Sequence, residues 1–501
     1  MPTAHSSLLP LLLILLPICG ALFTVLFGWV KIKNAREINT LVILAVQLYG
    51  TLRLALLVFN GRVVHCLGNA ICIDGLSALM VILVNALVFL VALYSVRYMQ
   101  HEVASGVISD GRLTLYYGLL LLFTGTMNWT VTTNHLVMLY VAMEASTLAT
   151  ALLVAFYRNR PSLEAGFKYV LLVVVGMTFA LFGVVLMFAA AYPHLGSAGL
   201  LISEVGRIAA VIPKNIALLA IAFLTVGFAT KAGLVPFHAW LPDAHSEAPA
   251  PISALLSGLI IKLGAYALTR TVTIFAPTYH AIVVFIAILS TLSMVVGIVM
   301  ALAQDDLKRM LAFSSVSQIS YVFEGLGLGT YLGIYGGLFH LVNHTIIKAL
   351  LFLSVGALMY ANRGRRRISE LAGMGKKMPI TAFCFIVGAL AISGLPPLNG
   401  FASKFTLFLA IGEAGLYWAL ALSLFTGLLT LACLMRAAYL VFWKTGDGDT
   451  VHTVKEAPGW MSLVMLILAG LCLLIGLYPN LLYPILHQAT NAVLAIWSVG
   501  Q

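Results

Sequence analysis

Charged residues are what this 501-residue chain most clearly lacks: Asp, Glu, Lys and Arg make up only 9% of it, and hydrophobic residues make up 61%. A soluble protein carries about 25% charged residues, so the composition excludes a soluble globular protein. The longest polar stretches, residues 192–215, 362–378 and 445–459, are too short to hold a soluble domain. The chain is therefore expected to be a polytopic membrane protein.

Cofactor-binding motifs are also missing. The six cysteines are dispersed and contain no CxxC, which disfavours iron–sulfur or structural zinc ligation. Only Cys66 and Cys72 lie near each other, and a non-cytoplasmic disulfide between them is a minor alternative. The chain has no P-loop, no dinucleotide-binding fingerprint and no nucleophile elbow, so we expect neither a cofactor nor an active site on the chain itself.

Apolar runs of about 20 residues, the length that spans a bilayer, recur about fourteen times. The predicted fold class is therefore an all-α polytopic membrane protein with about fourteen transmembrane helices. Most Lys and Arg of the loops fall on one side, which the positive-inside rule makes cytoplasmic, so both termini face outward. The net charge of +11 then reflects topology and not nucleic-acid binding. The basic cluster at residues 363–367 could also contact anionic lipid or a partner subunit.

Two of the expected helices are interrupted by proline. Helix 7 reads LTVGFATKAGLVPFHAWLPD, with Pro236 and Pro242, and helix 12 reads ALAISGLPPLNGFASKF, with Pro396 and Pro397. Proline removes a backbone donor, and unwound backbone is tolerated in a bilayer only where it is buried in protein or lines a hydrated cavity. Both helices are therefore predicted to be discontinuous, although the prolines could instead merely kink two ordinary helices.

The two interrupted helices are five apart and so cross the membrane in opposite directions, which predicts two inverted five-helix repeats. The chain then divides into N-terminal helices 1–3 (residues 1–110), a first half-channel of helices 4–8 (111–275), an inverted second half-channel of helices 9–13 (276–445) and C-terminal helix 14 (446–501). In transporters built this way, functional sites lie at the broken helices.

Ionisable residues lie inside the apolar segments. A charge at bilayer depth costs about 3 kcal/mol on insertion scales, so such residues are rare unless they are used or paired. A buried amine gives up its proton readily, and imidazole exchanges protons near pH 7, which suits a proton path. The candidates for proton translocation are Glu144, Lys231, Lys262, His340, His344, Lys348 and Lys404, and further candidates for the path are Lys168, His238, His245 and Lys308.

Structural roles compete with this interpretation. His340, His344 and Lys348 recur at every fourth residue along one helix face, which suits a relay through intervening waters but also a structural pair of histidines. A metal site is not expected there, because no carboxylate shares the helix. Elsewhere, Glu144 could form a static ion pair, Lys231, Lys262 and Lys308 could extend to the interface, and His238 and His245 could cap a helix end.

Four segments together resemble a known superfamily: FATKAGLVPFHAWLPDAHSEAP, DDLKRMLAFSSVSQISY, FHLVNHTIIKALLFL and SGLPPLNGFASKF. They are similar to the antiporter-like proton-channel subunits of respiratory complex I, of membrane-bound nickel–iron hydrogenases of the formate hydrogenlyase type and of Mrp-type Na+/H+ antiporters. The resemblance implies that Glu144 pairs with Lys231 on helix 7. It also implies that Lys262 links the half-channels, that helix 11 carries a polar ladder and that Lys404 is the exit residue.

The resemblance implies a proton-translocating subunit of a redox-driven complex, either NADH–quinone oxidoreductase-like or a hydrogenase, in a bacterial or archaeal cytoplasmic membrane. Expected partners are other membrane subunits, lipid, and peripheral redox subunits on the cytoplasmic side that carry iron–sulfur, nickel–iron or flavin cofactors. The first alternative is a subunit of a multisubunit Mrp-type Na+/H+ antiporter. The second is a passive membrane anchor, in which the intramembrane charges would be structural pairs.

Overall fold

The structure, a computed structural model, describes residues 3–30, 34–275, 279–445 and 454–498, which are predominantly helical. The helices are α1 (Leu9–Val30), α2 (Ala35–Phe59), α3 (Gly75–Ala104), α4 (Asp110–Thr132), α5 (Leu136–Val154), α6 (Arg160–Leu195), α7 (Ile202–Arg207), α8 (Lys214–Ala232), α9 (Trp240–Glu247), α10 (Ala250–Leu255), α11 (Ile261–Thr271), α12 (His280–Leu302), α13 (Leu307–Gly327), α14 (Tyr331–Ala361), α15 (Pro379–Ser393), α16 (Asn399–Glu413), α17 (Tyr417–Ala438), α18 (Gly459–Leu477) and α19 (Tyr483–Ser498).

Within the described ranges, 11 helical segments are long and apolar enough to cross a membrane. The other three segments expected from the sequence also form helices. However, α4 and α13 are rich in Ser, Thr and other polar residues, and α15 and α16 have only 15 residues each. The all-α polytopic class is confirmed, and the count of fourteen spans is not.

The helices that carry candidate residues occupy the centre of the bundle. Every residue of the apolar segment Ala250–Phe275, which contains α10 and α11, is buried, and so are 94% of the residues in the most apolar stretch of α14. By contrast, α1 and the segment Tyr417–Trp443 are each 33% buried, and large apolar side chains cover their outer faces. A helix that is buried on all sides and still carries ionisable residues must satisfy them inside the protein, because lipid cannot.

Both expected breaks are present. Helix α8 ends at Gly233, whose φ is 73°, and α15 ends at Gly394, whose φ is 87°. Glycine occupies this left-handed conformation without the steric cost that a side chain would bring, so it commonly ends helices. Proline follows each glycine within three residues, and the chain becomes helical again only at α9 and α16. The predicted discontinuity of helices 7 and 12 is confirmed.

Side chains of neighbouring elements bond the backbone groups that the first break frees. The Val235 N–H donates to Ser293 Oγ of α12 at 2.9 Å, and Trp240 Nε1 donates to the Thr230 carbonyl at 2.9 Å. These bonds satisfy freed polar groups inside the protein, as membrane depth requires, while Pro236 and Ala239 of the break are exposed.

A second irregularity recurs at the same interval. Leu256–Ile260, between α10 and α11, and Tyr439–Trp443, after α17, each form one turn of π-helix. These turns lie in the eighth and thirteenth expected helices, again five apart. Such turns widen the hydrogen-bond spacing and often mark functional positions. Paired breaks and paired π-turns are what two related half-channels would show, while the four-part division of the chain stays a prediction.

The two ends of the described chain lie at the same end of the bundle. β1 (Thr3–Ser6) pairs in parallel with β2 (Arg62–Cys66), which pairs antiparallel with β3 (Ile71–Ile73), just before α3 begins. Helix α19 crosses the start of α3, where Gln488 Nε2 donates to the Phe59 carbonyl at 2.8 Å. Neither the sheet nor α19 was predicted from the sequence.

The minor alternative of a Cys66–Cys72 disulfide is wrong, because both are free thiols. In the β2–β3 pair, Cys66 lies opposite Ile71 and Cys72 lies opposite His65. The two cysteines are thus one position out of register. Because neighbouring positions of a strand face opposite sides of the sheet, their side chains point away from each other.

Candidate functional site

Lys231 lies in the last turn of α8, next to the first break, and is completely buried. Its Nζ donates to Thr147 Oγ1 at 2.6 Å, to Ser146 Oγ at 3.2 Å and to the Met143 carbonyl at 3.2 Å, all on α5. Three acceptors match the three protons of an ammonium group, and a hydroxyl can also donate to a neutral amine. These contacts can therefore hold Lys231 in either protonation state.

Glu144, also on α5, does not touch Lys231 directly. In the part of the chain that is described, its Oε1 is buried without a hydrogen bond, and no nitrogen–oxygen contact within 4.0 Å joins the two side chains. Lys231 contacts residues 143, 146 and 147, which share one helix face, and Glu144 is rotated by about 100° from Met143. The pairing that the resemblance implies is thus an electrostatic interaction at a distance.

Lys262 is the second residue of α11, just after the π-turn Leu256–Ile260, and is completely buried. Its Nζ donates to the Ser257 carbonyl inside that turn. Thr345 Oγ1 of α14 donates to the neighbouring Gly258 carbonyl at 3.0 Å. Lys262 therefore lies where α11 meets α14 and does not extend to the interface.

Lys308 and His245 are likewise interior residues. Lys308 is 1% exposed, and its Nζ donates to the carbonyls of Ser246, at 3.3 Å, and of Ala248. His245 is wholly buried, its ring stacks on Phe352 with the centroids 4.6 Å apart, and neither ring nitrogen is hydrogen-bonded within the described residues. The interface position weighed for Lys308 and the capping role weighed for His245 do not occur.

A charged cleft of about 740 Å3 opens beside this pair, on the side predicted to be cytoplasmic. Arg366, from the basic cluster at residues 363–367, pairs there with Glu247 at 3.0 Å and with Asp306 at 2.6 Å. Burial alone would lower the pKa of Arg366, but the two carboxylates outweigh it and raise the pKa above its usual value. Because Ser246 both lines the cleft and accepts from Lys308, the cleft ends one residue away from His245.

Lys348 is held on α14 in the manner of Lys231. It is completely buried, and its Nζ donates to the Leu311 carbonyl at 3.1 Å and to Ser314 Oγ, both on α13. Each of these lysines thus uses a hydroxyl and a helix carbonyl of a neighbouring helix. Neither forms an ion pair within the described residues.

The two histidines of α14 are buried but not hydrogen-bonded to each other. His340 Nδ1 bonds Ser403 Oγ of α16 at 3.1 Å, while His340 Nε2 and both nitrogens of His344 have no partner in the described structure. Their ring centroids are 6.2 Å apart, which is too far for a direct bond but suits a bridging water. The structural histidine pair weighed above is therefore absent, and the geometry suits a relay.

Lys404 lies on α16, just beyond the second break, and is 3% exposed. Its Nζ makes no hydrogen bond within the described residues and lies 4.7 Å from the ring centroid of Tyr321 on α13. A cation over an aromatic face is stabilised by the ring quadrupole, and more strongly where water is excluded. The aliphatic part of Lys404 packs on Gly394, so the residue covers the break.

Two candidates lie apart from this interior region. The Lys168 side chain is 47% exposed and pairs with Glu164 at 2.9 Å and with Asp243 at 3.3 Å. His238 is half-buried in the first break, with its ring 6.2 Å from that of Phe313. Glu144 is half-buried on α5. The other eight candidates are buried and form a set that we call the buried line: Lys231, Lys262, His245, Lys308, Lys348, His344, His340 and Lys404.

The buried line is electrostatically connected. The charge of Lys262 acts on His245, His340 and His344, and the charge of Lys348 acts on Lys262. Lys231 lies beside this group because its helix, α8, packs against α11 at Gly264, two residues after Lys262. One interior region therefore contains Lys231 at the first break, Lys262 and the ladder of α14, and this region ends at the second break.

Sequence reasoning missed Glu324 and Tyr321 on α13. Glu324 is 1% exposed and Tyr321 is completely buried. Glu324 directly precedes the Gly-rich segment GLGLGTYLG, which reads as a connection between helices and so hid the carboxyl at the end of a buried helix. The available signal was an acidic residue one turn after SQISY, in a segment already expected to be helical.

Comparison with known proteins identifies the family. Residues 133–430 match the family described as "NADH:quinone oxidoreductase/Mrp antiporter, TM", and residues 67–105 match "NADH-Ubiquinone oxidoreductase (complex I), chain 5 N-terminus". This chain belongs to that oxidoreductase and antiporter membrane-subunit family. The resemblance seen in the sequence is thus confirmed, and the matched residues contain the entire buried line and both breaks.

The chain is similar to proteins named as parts of hydrogenase, quinone oxidoreductase and respiratory complexes. A "Hydrogenase-4 component F homolog" of Methylacidiphilum infernorum is 31% identical over 411 residues, covering 80% of this chain and 85% of the relative. An "NADH-quinone oxidoreductase subunit N" of Desulforudis audaxviator is 32% identical over 456 residues, covering 87% of each chain. A chain of the membrane-bound sulfane sulfur reductase, an archaeal respiratory membrane complex, superposes with a TM-score of 0.87 at 26% identity, covering 99% of this chain and 100% of that one.

Proposed function

We propose that this chain translocates protons across the membrane as the antiporter-like subunit of a redox-driven complex, of the NADH–quinone oxidoreductase or the membrane-bound hydrogenase type. The observation that carries the proposal is the buried line, which extends from the first break through the central helices to the second. None of its members forms an ion pair within the described residues. A passive anchor would instead hold its buried charges in structural pairs.

Each part of the buried line has a role in the proposed path. Lys231 takes up a proton from the cytoplasmic side, and the charge of Glu144 adjusts how firmly Lys231 holds it. Lys262 passes the proton to the ladder formed by His340, His344 and Lys348, and Lys404 releases it outward. The charged cleft beside Lys308 and His245 is a second position for cytoplasmic uptake, because it ends next to buried groups of the same line.

The same proposal covers partners, cofactors and location. The chain would lie in the cytoplasmic membrane of a bacterium or archaeon, with both termini outside, among other membrane subunits and lipid on the apolar faces of its outer helices. Peripheral subunits on the cytoplasmic side would carry the iron–sulfur, nickel–iron or flavin centres. The relatives described above support this view, since they are named as parts of hydrogenase, quinone-reductase and respiratory complexes.

Purification of the tagged chain in mild detergent tests the proposed type of complex. We expect subunits with iron–sulfur centres, together with nickel or flavin, to co-purify and to be identified by mass spectrometry. Cells that express the untagged chain provide the control. Recovery of small hydrophobic subunits alone would contradict the redox-driven complex and indicate an Mrp-type Na+/H+ antiporter.

A further inference from the structure

Glu324 is a buried carboxyl group that the proposed path does not use. It lies in the last turn of α13 and is 1% exposed. Ser423 Oγ of α17 donates to its Oε2 at 3.1 Å, and Thr291 of α12 lies beside the carboxyl. Oε1 makes no hydrogen bond of good geometry within the described residues. A carboxyl group at such a depth is costly unless it is neutral or used.

Tyr321 connects Glu324 with Lys404. It precedes Glu324 by three residues, which places both on the same face of α13. One face of its ring receives Lys404 Nζ at 4.7 Å, and its hydroxyl bonds the Ser423 carbonyl at 2.6 Å and Thr426 Oγ1 at 2.7 Å. Ser423 is thus shared, since its carbonyl accepts from Tyr321 and its hydroxyl donates to Glu324. The hydroxyl groups of Tyr321, Thr426 and Ser423 therefore lie between the ring that Lys404 contacts and the Glu324 carboxyl.

Glu324 is also close to the end of the bundle. Helix α13 ends at Gly327, three residues later, so Glu324 lies about 5 Å along the helix axis from its end. Tyr331, just beyond this end on α14, bonds His487 of α19 at 2.6 Å. This is the end where both termini lie, which the positive-inside rule makes the outer side. A proton on Glu324 therefore has a shorter distance to the outer surface than one on Lys404.

Other charges do not neutralise Glu324. The helices packed against α13 here are α12, α14, α16 and α17, and within the described residues none of their acidic, basic or histidine side chains forms an ion pair with Glu324. On those helices they are His280, His340, His344, Lys348, Lys404, Glu413 and Arg436. Of these, His340 contacts the Tyr321 ring at a centroid distance of 5.6 Å, and Lys404 contacts its face. Lys404 and His340, which is the last residue of the ladder, thus both contact Tyr321, one helix turn before Glu324.

We propose that Glu324 is the proton-release group of the path, accepting the proton that Lys404 gives up and passing it to the outer surface. The transfer converts the Lys404 ammonium to an amine and the Glu324 carboxylate to a carboxylic acid, and loss of the proton to outer water restores the carboxylate. Charge and protons balance without any other reactant. The inference rests on the proposed function and adds a residue to it. Glu144 and Lys231 form a similar separated pair in the first half-channel, five helices earlier.

Proton translocation by the purified complex in liposomes, driven by the electron donor of its redox subunits, tests this role. Glu324→Gln keeps the shape of the side chain but cannot accept the proton, so we expect the proton flux per turnover to fall by at least about tenfold. Glu324→Asp should restore at least half of the flux. Glu413→Gln, which removes an exposed carboxyl near the outer end of α16, is the matched control and should translocate like the wild type.

An infrared difference spectrum of the turning-over complex provides a readout that a structural role would not change. We expect the carbonyl stretch of a protonated carboxyl to appear during turnover, to shift in Glu324→Asp and to vanish in Glu324→Gln. Wild-type translocation by Glu324→Gln, or an unchanged band in Glu324→Asp, would overturn the proposal. If Lys231→Ala still blocks translocation in that case, only the release group is wrong; if Lys231→Ala translocates normally, the proposed function itself fails.

Discussion

Replacing Lys231 with alanine should stop proton movement through the assembled complex. Lys231 is the ionisable group buried at the first break, and three acceptors on α5 hold its amine in place. Alanine supplies neither the proton-carrying group nor its hydrogen bonds. We therefore expect a loss of at least about tenfold, in the range seen when a positioned proton-transfer group is removed. Quenching of a pH-sensitive dye in inverted membrane vesicles measures the change.

Lys214→Met is the matched control for this experiment. Lys214 is also a lysine of α8, but it begins the helix and is exposed. Surface substitutions away from buried or paired groups have little effect, so we expect less than about a twofold change in proton movement. Detection of the full set of subunits in both variants separates loss of transport from loss of assembly. Normal proton movement in Lys231→Ala would contradict the assignment of Lys231.

Replacing Arg270 with methionine should destabilise the chain by about 3 kcal/mol, the typical cost of leaving a buried charge without its partner. Arg270 ends α11 and binds both oxygens of Asp74, each at 2.6 Å, and it also donates to Ser77 and Tyr266. Asp74 in turn caps α3 through the Ser77 N–H at 2.9 Å. The pair thus fastens the central helix to the start of α3. Thermal unfolding in detergent measures the loss.

The acid sensitivity of this pair follows from the environment of Asp74. Burial alone would raise the pKa of the Asp74 carboxyl, but the adjacent Arg270 charge and its hydrogen bonds outweigh burial and hold the pKa below its usual value. The stabilising contribution is therefore complete above the ordinary carboxyl pKa of about 4 and is lost only as the pH falls below it. Between pH 5 and 8 the wild type should keep a constant stability. In Arg270→Met, burial acts without Arg270 and raises the pKa of Asp74, so the difference from the wild type should grow as the pH rises.

Arg207→Met is the control for Arg270. Arg207 pairs with Glu204 at 3.0 Å within α7, but its side chain is 56% exposed, so we expect a loss below about 1 kcal/mol. The double variant Asp74→Leu/Arg270→Met, which leaves no unpaired charge, should recover part of the lost stability. Equal losses for Arg270→Met and Arg207→Met would contradict the structural role assigned to the Arg270–Asp74 pair.

Features that depend on local sequence could be predicted. The apolar runs located the helices, because a bilayer demands about 20 apolar residues in succession. Proline near Gly233 and Gly394 marked both breaks, and ionisable residues in apolar segments marked all eight members of the buried line as candidates. Each of these signals lies within one segment and needs no knowledge of how the helices pack.

Features that depend on packing could not be predicted. Whether His245 is a cap or an interior residue depends on α14, whose Phe352 covers its ring. The separation of Glu144 from Lys231 depends on which face of α5 turns toward α8, and spacing along the chain does not determine that. Glu324 was hidden because burial at a helix end depends on α17, which lies about 100 residues later in the chain.

Lys262 tests most directly whether protons cross the membrane along the buried line, because in the proposed path it passes the proton from Lys231 to the ladder of α14. The purified complex is placed in liposomes with its electron donor, and the lumenal pH is followed for the wild type and for Lys262→Met, which keeps most of the side-chain volume. We expect electron transfer to continue or slow while acidification of the lumen falls by at least about tenfold. Wild-type acidification in the assembled Lys262→Met complex would contradict it.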